Sequence, residues 1–574
     1  MRAFVSCVFI LENKVLKKTF NNYKLVYFWK VKKLLIYILI ATISMAIWSC
    51  DGAMKPPIGK TVFRYNESAG ISSLDPAFAR DQANIWADNQ LYNGLVQLDN
   101  KLHIKPSLAK SWTISDSGKT YTFNIRQDIY FHNNEVFQDS IGRNMTAEDI
   151  TYSLQRVLSP KTLSPGAVWL KNILTKDKEG NYSITNPNDT TVIIKLKSAF
   201  SPFLGRLSMP YFSTIAKEAV EFYGSDFGRN PVGTGPFYLK MWKEGVKMVL
   251  RKNENYFEKE NGNQLPYLDA VSISFIIDKQ SVFLEFIKGN IDFISGIDPS
   301  YKDELLLADG SLNPKYNNQI NLLRAPYLNT EYLGFIMQNN KDSILMDKRI
   351  RKAINYGFDR KKMMRYLRNN IGVAGNNGFV PVGMPGFENG ETQGYFFSPD
   401  STLSLLKQAG FPNGKGLPTI TLSTTSAYLD ICKYIQQETA KLGIEMEIDV
   451  HQPAALRQMI ANSRIPFFRG SWIADYADPE NYLALFYSPN HCPAGANYTH
   501  FTSKEFDKLY IQARSETNDS TRLTLYRKMD EMVIDEAPII ILYYDEALRF
   551  TAKNISGLGV NSMNLLSLKK VVKK

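Results

Sequence analysis

Strand-like and helix-like signals alternate along almost the whole chain, and this alternation restricts the fold more than any other feature. Residues 61–65, 192–196, 444–450, 466–473 and 538–543 are short β-branched or aromatic runs, and residues 120–131 alternate (Tyr121, Phe123, Ile125) as a half-buried strand does. Between them lie helical spacings at 85–95, 281–294 (Val282, Phe283, Phe286, Ile287), 347–367, 454–462, 504–514 and 520–534. Thr146 caps a helix whose first turn holds acids, and Gly410 and Gly443 close helices over 401–409 and 427–442 at positions that favour positive φ. The glycines of NPVGTGPFYL, Gly233 and Gly235, read as a tight turn leading into a strand. The pattern predicts an α/β architecture with mixed sheets covered by helices.

A chain of 574 residues, 44% hydrophobic and 22% charged, has the composition of a globular protein large enough to bury a core without staples. Only residues 34–48 approach membrane-spanning length, which excludes a multi-span channel or transporter. The net charge of +12 suggests nucleic acid, but eight Lys/Arg against one acid precede Cys50. The rest is nearly balanced and has no basic stripe interleaved with aromatics, so no nucleic-acid partner is expected.

The front end reads as a targeting segment. Lys32 and Lys33 precede the apolar run 34–48, and Ser49 stands before Cys50. This resembles the lipobox of bacterial lipoproteins, with Trp48 as its bulky departure. The expected organisation is a signal peptide over 31–49, lipid on Cys50 and a polar tether over 50–60. Residues 1–30 fit an over-extended gene start, with Val31 as the true one; the alternative is a signal anchor that stays uncleaved. Cys7 then leaves with the leader. Cys432 falls mid-helix as a small hydrophobe and Cys492 in a Pro/Gly loop. Two cysteines make no disulfide framework, and whether these two pair is left open.

Catalytic and metal signatures are sparse. There is no G-x-x-x-x-G-K-[ST], G-x-S-x-G, H-E-x-x-H or C-x-x-C. Ser107 and Lys110 satisfy S-x-x-K without the partner motifs of a serine acyl-enzyme. His103, His132, His451, His491 and His500 lack the spacing of a structural zinc site. No catalytic residue, metal or cofactor is expected. The unusual stretch is 467–488, where Asp475 and Asp478 sit among Phe467, Phe468, Trp472, Ile473 and Tyr476, with no basic residue nearer in sequence than Arg469. A carboxylate in such a setting needs a cation or strong donors. Either Asp475 caps a helix beginning near Pro479, or its partner is the ammonium of a ligand.

Ordered matches then run across nearly the whole mature chain: SSLDPAFAR at 72–80, LYNGLVQLD at 91–99, KPSLAKSWTISDSGKTYTFNIRQDIYFHN from 105, MTAEDITYSLQRVLSP at 145–160, PVGTGPFYL at 231–239, IRKAINYGFDRKKMM at 350–364 and SWIADYADPENYL at 471–483. Together they resemble the family 5 solute-binding proteins of ABC transporters, the oligopeptide/dipeptide-binding type, with an insertion near 138–144 as the departure.

The resemblance implies a type II periplasmic-binding-protein fold, two lobes with a hinge plus an extra domain. Its expected parts are lobe I at 61–95, 186–280 and 537–574, the extra domain at 96–185, and lobe II at 281–536. It implies that Asp475 pairs with a peptide's α-ammonium and that the backbone of Gly470, Ser471 and Trp472 takes the peptide as an added strand. Arg469 matches a position that meets a peptide carboxylate, and Arg80 and Gln82 lie on an opposing ligand-contacting loop. The expected function is an extracytoplasmic, lipid-anchored monomer, periplasmic or at the cell surface, that delivers short peptides to an ABC permease. Alternatives are another solute on the same fold (a nickel chelate, an oligosaccharide), a secreted peptide hydrolase, or a surface chaperone or adhesin using the same cleft.

Overall fold

The computed structural model describes residues 59–338 and 344–574; the leader, Cys7 and Cys50 lie outside them. After β1 (Val62–Asn66) comes α1 (Gln82–Leu91), which starts three residues before the expected 85 because Asp81 Oδ1 accepts from Asn84 N at 3.1 Å. Strands β2 (Ala109–Ser115) and β3 (Thr120–Ile125) form a hairpin. β3 ends at Ile125 rather than at 131, because Arg126 N turns away to Leu108 O at 3.0 Å. Thr146 precedes α2 (Ala147–Leu158) as expected, its backbone N–H donating to Asp149 Oδ2 at 2.9 Å. β4 (Ile184–Asn188) and β5 (Thr191–Lys195) complete a four-stranded sheet in the order β2-β3-β5-β4. The loop at 138–144 is tied down by Arg143, which forms 2.6 Å ion pairs with Asp149 and Glu218.

Helix α3 (Phe203–Leu207) leads to β6 (Phe237–Lys243), β7 (Lys247–Lys252) and β8 (Ala270–Ser274), then α4 (Lys279–Ile287) and β9 (Phe293–Ser295). Next comes β10 (Ile320–Phe335), a sixteen-residue strand that the sequence reading did not assign. The expected helix at 347–367 is two, α5 (Lys348–Tyr356) and α6 (Arg360–Arg368), because Asp359 Oδ1 accepts from Lys362 N (3.1 Å) and restarts the chain. The remainder comprises α7 (Pro399–Gln408), β11 (Ile420–Thr425), α8 (Leu429–Ala440), β12 (Met446–His451), α9 (Pro453–Ala461), β13 (Phe467–Ile473), α10 (Glu480–Leu483), α11 (Lys504–Ser515), α12 (Asp519–Glu536) and β14 (Ile539–Ala552). Of these, the sequence reading does not assign β11 and ends β14 at 543 instead of 552, and the other elements follow expectation closely. Gly410 and Gly443 have φ of +96° and +84°, as closing residues of α7 and α8 require.

Ten of these strands, with the short strand Val373–Ala374 paired to β14, form an eleven-stranded mixed sheet whose main path is β12-β11-β13-β10-β14-β9-β1-β8-β7-β6. β10 and β14 cross from one half to the other. Residues 330–334 of β10 pair with 539–544 of β14 on the β13 side, and 320–326 pair with 546–552 on the β9 side. Between them Tyr327, Leu328 and Asn329 stand opposite Asp545 alone, just after Pro326, which cannot donate to the ladder. Both faces of the crossing are buried: Tyr332, Ile541 and Tyr544 enter one apolar cluster, Leu333, Ile540 and Leu542 another. That is why the run at 539 onward is apolar rather than alternating. β5 lies beyond the expected boundary at 185, and β9, beyond the one at 281, pairs with β1 and β14.

α12 carries a fully buried carboxyl, Asp530, whose Oδ1 accepts from Phe379 N at 2.8 Å while Oδ2 has no hydrogen-bond partner. Burial pushes its pKa up from 3.8 to about 7. The folded state therefore favours the protonated acid, and that stabilisation is lost as pH rises from about 4 through about 7. Asp530→Asn should be more stable than wild type by about 2–4 kcal/mol at pH 8, with the gap closing towards pH 4. Equal denaturation midpoints across that range would refute the assignment.

Candidate functional site

Three carboxylates lie within 475–480, and the tertiary structure supplies arginines for two of them. Asp478 is ion-paired to Arg522. Glu480, 2% exposed, lies 3.7 Å from Arg206 and 3.6 Å from Arg514 and accepts from the Tyr476 and Tyr510 hydroxyls. Burial alone would raise the Glu480 pKa, but Arg206 and Arg514 outweigh it and hold the carboxylate below its usual range.

Asp475, at the end of β13, forms no ion pair among the described residues. Its Oδ2 accepts from Asn481 Nδ2 at 3.1 Å. Asn481 Oδ1 in turn accepts from Asp475 N (3.1 Å) and Trp472 Nε1 (3.0 Å), so one buried amide fixes both side chains. Burial raises the Asp475 pKa against the opposing effects of Asn481 and Arg206. The cap reading is corrected here: at the start of α10 it is Asp478 Oδ1 that accepts from Glu480 N, at 2.9 Å.

Asp475 opens on a cavity of about 330 Å³, a volume at the small end for ligand sites. Arg80 and Gln82, from the start of α1, line the same cavity with Trp86, Tyr211 and Tyr327. Thus Arg80, Gln82 and Asp475, hundreds of residues apart, do meet. No ion pair holds Arg80 either, among the described residues. Hollows of about 490 and 730 Å³ exist elsewhere, and the charged side chains that line them, Lys553, Lys176, Asp177 and Lys195, are exposed.

Gly470, Ser471 and Trp472 pair with Tyr332, Glu331 and Thr330 of β10 on one side. On the other, β13 meets β11 only at Phe468, so no described strand covers the edge at 469–473. Arg469 is not among the residues lining the cavity. It is ion-paired to buried Glu331, and its guanidinium lies 3.2 Å from the centre of the Tyr428 ring. A Cβ at Gly470 would come 2.7 Å from the Tyr332 ring. Gly470→Ala should cost about 1–3 kcal/mol of stability and displace that edge, whereas Ser471→Ala, at an exposed position, should be near neutral. Thermal melts of the two variants check this, and matching melting points would refute it.

Asn481, Tyr211 and Tyr327 were not legible as site residues. Nothing in a single sequence marks Asn481, and Tyr327 sits in the unassigned strand. The S-x-x-K match carries no pairing: Ser107 Oγ is buried without a hydrogen-bond partner and Lys110 is exposed. His132 is buried, with Nε2 3.0 Å from Gly235 O in the turn of Gly233 and Gly235. No described group of His, Cys, Asp or Glu is arranged to hold a metal ion.

The mixed sheet crossed by two long strands is that of the type II periplasmic-binding-protein fold. The chain belongs to the bacterial extracellular solute-binding proteins, family 5, whose middle-region profile matches residues 103–492. It is 24% identical over 496 residues to the dipeptide-binding protein of Escherichia coli K12, covering 82% of this chain and 87% of that one. It is 28% identical over 469 residues to heme-binding protein A of Haemophilus influenzae, covering 79% and 81%. Among solved structures, it resembles the periplasmic binding protein DppA of Helicobacter pylori in complex with the peptide STSA, at a TM-score of 0.69 and 25% identity, covering 90% of this chain and 98% of that one.

Proposed function

We propose that this protein is a lipid-anchored extracytoplasmic receptor that captures short peptides and delivers them to an ABC permease. The observation that carries the reading is Asp475: of three carboxylates in one segment it alone forms no ion pair among the described residues, and it faces a cavity shared with Arg80. A peptide brings an ammonium for the first and a carboxylate for the second, and its backbone fits the uncovered edge at 469–473. The names of the dipeptide-binding relative and of the peptide complex support the same ligand class.

In this proposal the two halves of the large sheet belong to two lobes, the four-stranded sheet to the extra domain, and the irregularity at 327–329 opposite Asp545 to the hinge. The Arg206 contacts to Tyr476 and Glu480 then join the lobes when closed. Purified protein offered a defined pool of short peptides should retain some of them, return the pool chemically intact and compact on binding, as read by small-angle scattering. A shortened pool would support a hydrolase, and retention of only a chelate or a sugar would overturn the peptide reading. For the anchor, Cys50→Ser should leave the protein unlipidated and released from membranes, and an unchanged fractionation together with no acyl mass on the native protein would refute it.

A further inference from the structure

Of the residues that line the cavity at Asp475, only Asp475 and Arg80 are charged. Most of the remaining wall is carbon: Ile85 and Trp86 from α1, Leu98 and Met209 from two separate segments, and Met563 and Leu565 from beyond β14. Trp86 and Met209 belong to one apolar core, whereas Leu98 and Met563 pack against another, so the cavity lies where two cores meet. Two polar tips in the wall already have partners: Trp86 Nε1 donates to Asn564 O and Ser208 Oγ to Gly205 O, each at 2.8 Å. Buried Arg549 donates to the same Asn564 O and to Asn564 Oδ1, each at 3.0 Å. These bonds fix the segment that carries Met563 and Leu565 against α1. Ile85, Leu98, Met563 and Leu565 stay half-buried, so they keep apolar surface at the cavity wall.

Resting on the peptide reading above, we propose that this cavity receives the first side chain of the bound peptide and selects peptides whose N-terminal residue is large and apolar, such as leucine, methionine or phenylalanine. The ammonium and the first side chain leave the same α-carbon. An ammonium held at Asp475 therefore brings that side chain to the cavity wall. An apolar group placed there removes its own surface and that of the half-buried wall from water together. The volume of about 330 Å³ is roughly twice that of a cavity that binds benzene, which leaves room for the α-carbon and its ammonium as well. Met209 and Met563 are unbranched and polarisable, and they adapt the wall to side chains of different shape.

Charged first side chains are disfavoured for the complementary reason. A basic one finds no carboxylate in the cavity beyond Asp475, which the ammonium occupies. An acidic one has to take Arg80 from the peptide carboxylate. In a peptide added as a strand, successive side chains point to opposite faces, so the second one turns away from the cavity and is not selected there.

The test is titration calorimetry of the purified full-length protein with two tripeptide series. In each, one residue varies among glycine, alanine, leucine, phenylalanine, glutamate and lysine, and the other two are alanine. With the variable residue first, leucine and phenylalanine should bind about ten- to a hundredfold more tightly than glycine. Glutamate and lysine should gain nothing over alanine. With the variable residue second, the same replacements should change affinity much less. Met563→Glu, at a half-buried position, should erase the advantage of leucine and let lysine bind more tightly than leucine, with a melting curve to check that the variant is folded. Leu565→Ala, which enlarges the cavity, should move the preference from leucine towards phenylalanine. Equal affinities across the first series, an equal spread in both series, or a preference for glutamate, which would give Arg80 to the side chain, would overturn this inference and leave the peptide reading standing. No binding of any peptide in either series would overturn both.

Discussion

Asp475→Asn should weaken the binding of a short peptide by about a hundredfold to several thousandfold. The pair is expected to be desolvated, and removing one partner of such a pair costs roughly 3–5 kcal/mol. Asn481 would still hold the Asp475→Asn side chain in place, so the loss isolates the charge rather than the geometry. N-acetylating the peptide removes the charge from the opposite side and should cost wild type a similar factor. The two changes should not add: Asp475→Asn should scarcely distinguish free from acetylated peptide. Acidity supplies a third handle. Burial raises the Asp475 pKa, so in the free protein the carboxylate becomes protonated at a less acid pH than usual. Affinity should be full above that raised pKa and fall as the pH drops through it, and Asp475→Asn should lose the dependence. Titration calorimetry of both proteins with both peptides, at several pH values, decides it. Additive losses, or equal wild-type affinity for the two peptides, would sink the assignment.

Arg206→Met should produce the second large effect, on stability and binding together. Arg206 reaches from α3 to the Tyr476 hydroxyl at 3.0 Å and to Glu480 at 3.7 Å, and also donates to Trp169 O at 2.9 Å. Its guanidinium stacks 4.3 Å from the centre of the Phe200 ring. Without it, buried Glu480 keeps the Tyr476 and Tyr510 hydroxyls but, among the described residues, one cation, Arg514 at 3.6 Å. The expected loss is about 3 kcal/mol, since an under-compensated buried charge remains. Peptide affinity should fall as well, because Tyr476 adjoins Asp475 and Arg206 also acts on the Asp475 charge. Adding Glu480→Gln should recover part of the stability, because the uncompensated charge then disappears. Denaturant midpoints of the wild type, the two single variants and the double variant measure the coupling. A double variant that loses the sum of the two single losses would show that Arg206 and Glu480 act independently.

The sequence by itself determined the α/β class, most helices and their ends, and the segment that carries Asp475. These rest on short-range physics. The Thr146 N–H opens α2 by donating to Asp149 three residues on, and Gly410 and Gly443 supply local backbone angles. Apolar spacing does the rest, as along α11 and α12. Only the tertiary structure decided three further matters. β10 escaped notice because its pairs lie in β13 and β14, more than a hundred residues away, and because Pro326 interrupts its pattern. That Asp475 does not cap α10 and forms no ion pair among the described residues turned on Arg522, Arg206, Arg514 and Asn481, whose positions relative to three carboxylates no local pattern encodes. Arg469, the nearest cation in sequence, is taken by Glu331 across the β10–β13 ladder. Whether a buried charge is satisfied depends on which distant side chains the fold brings within a few ångströms, and that distance is set by packing rather than by sequence separation.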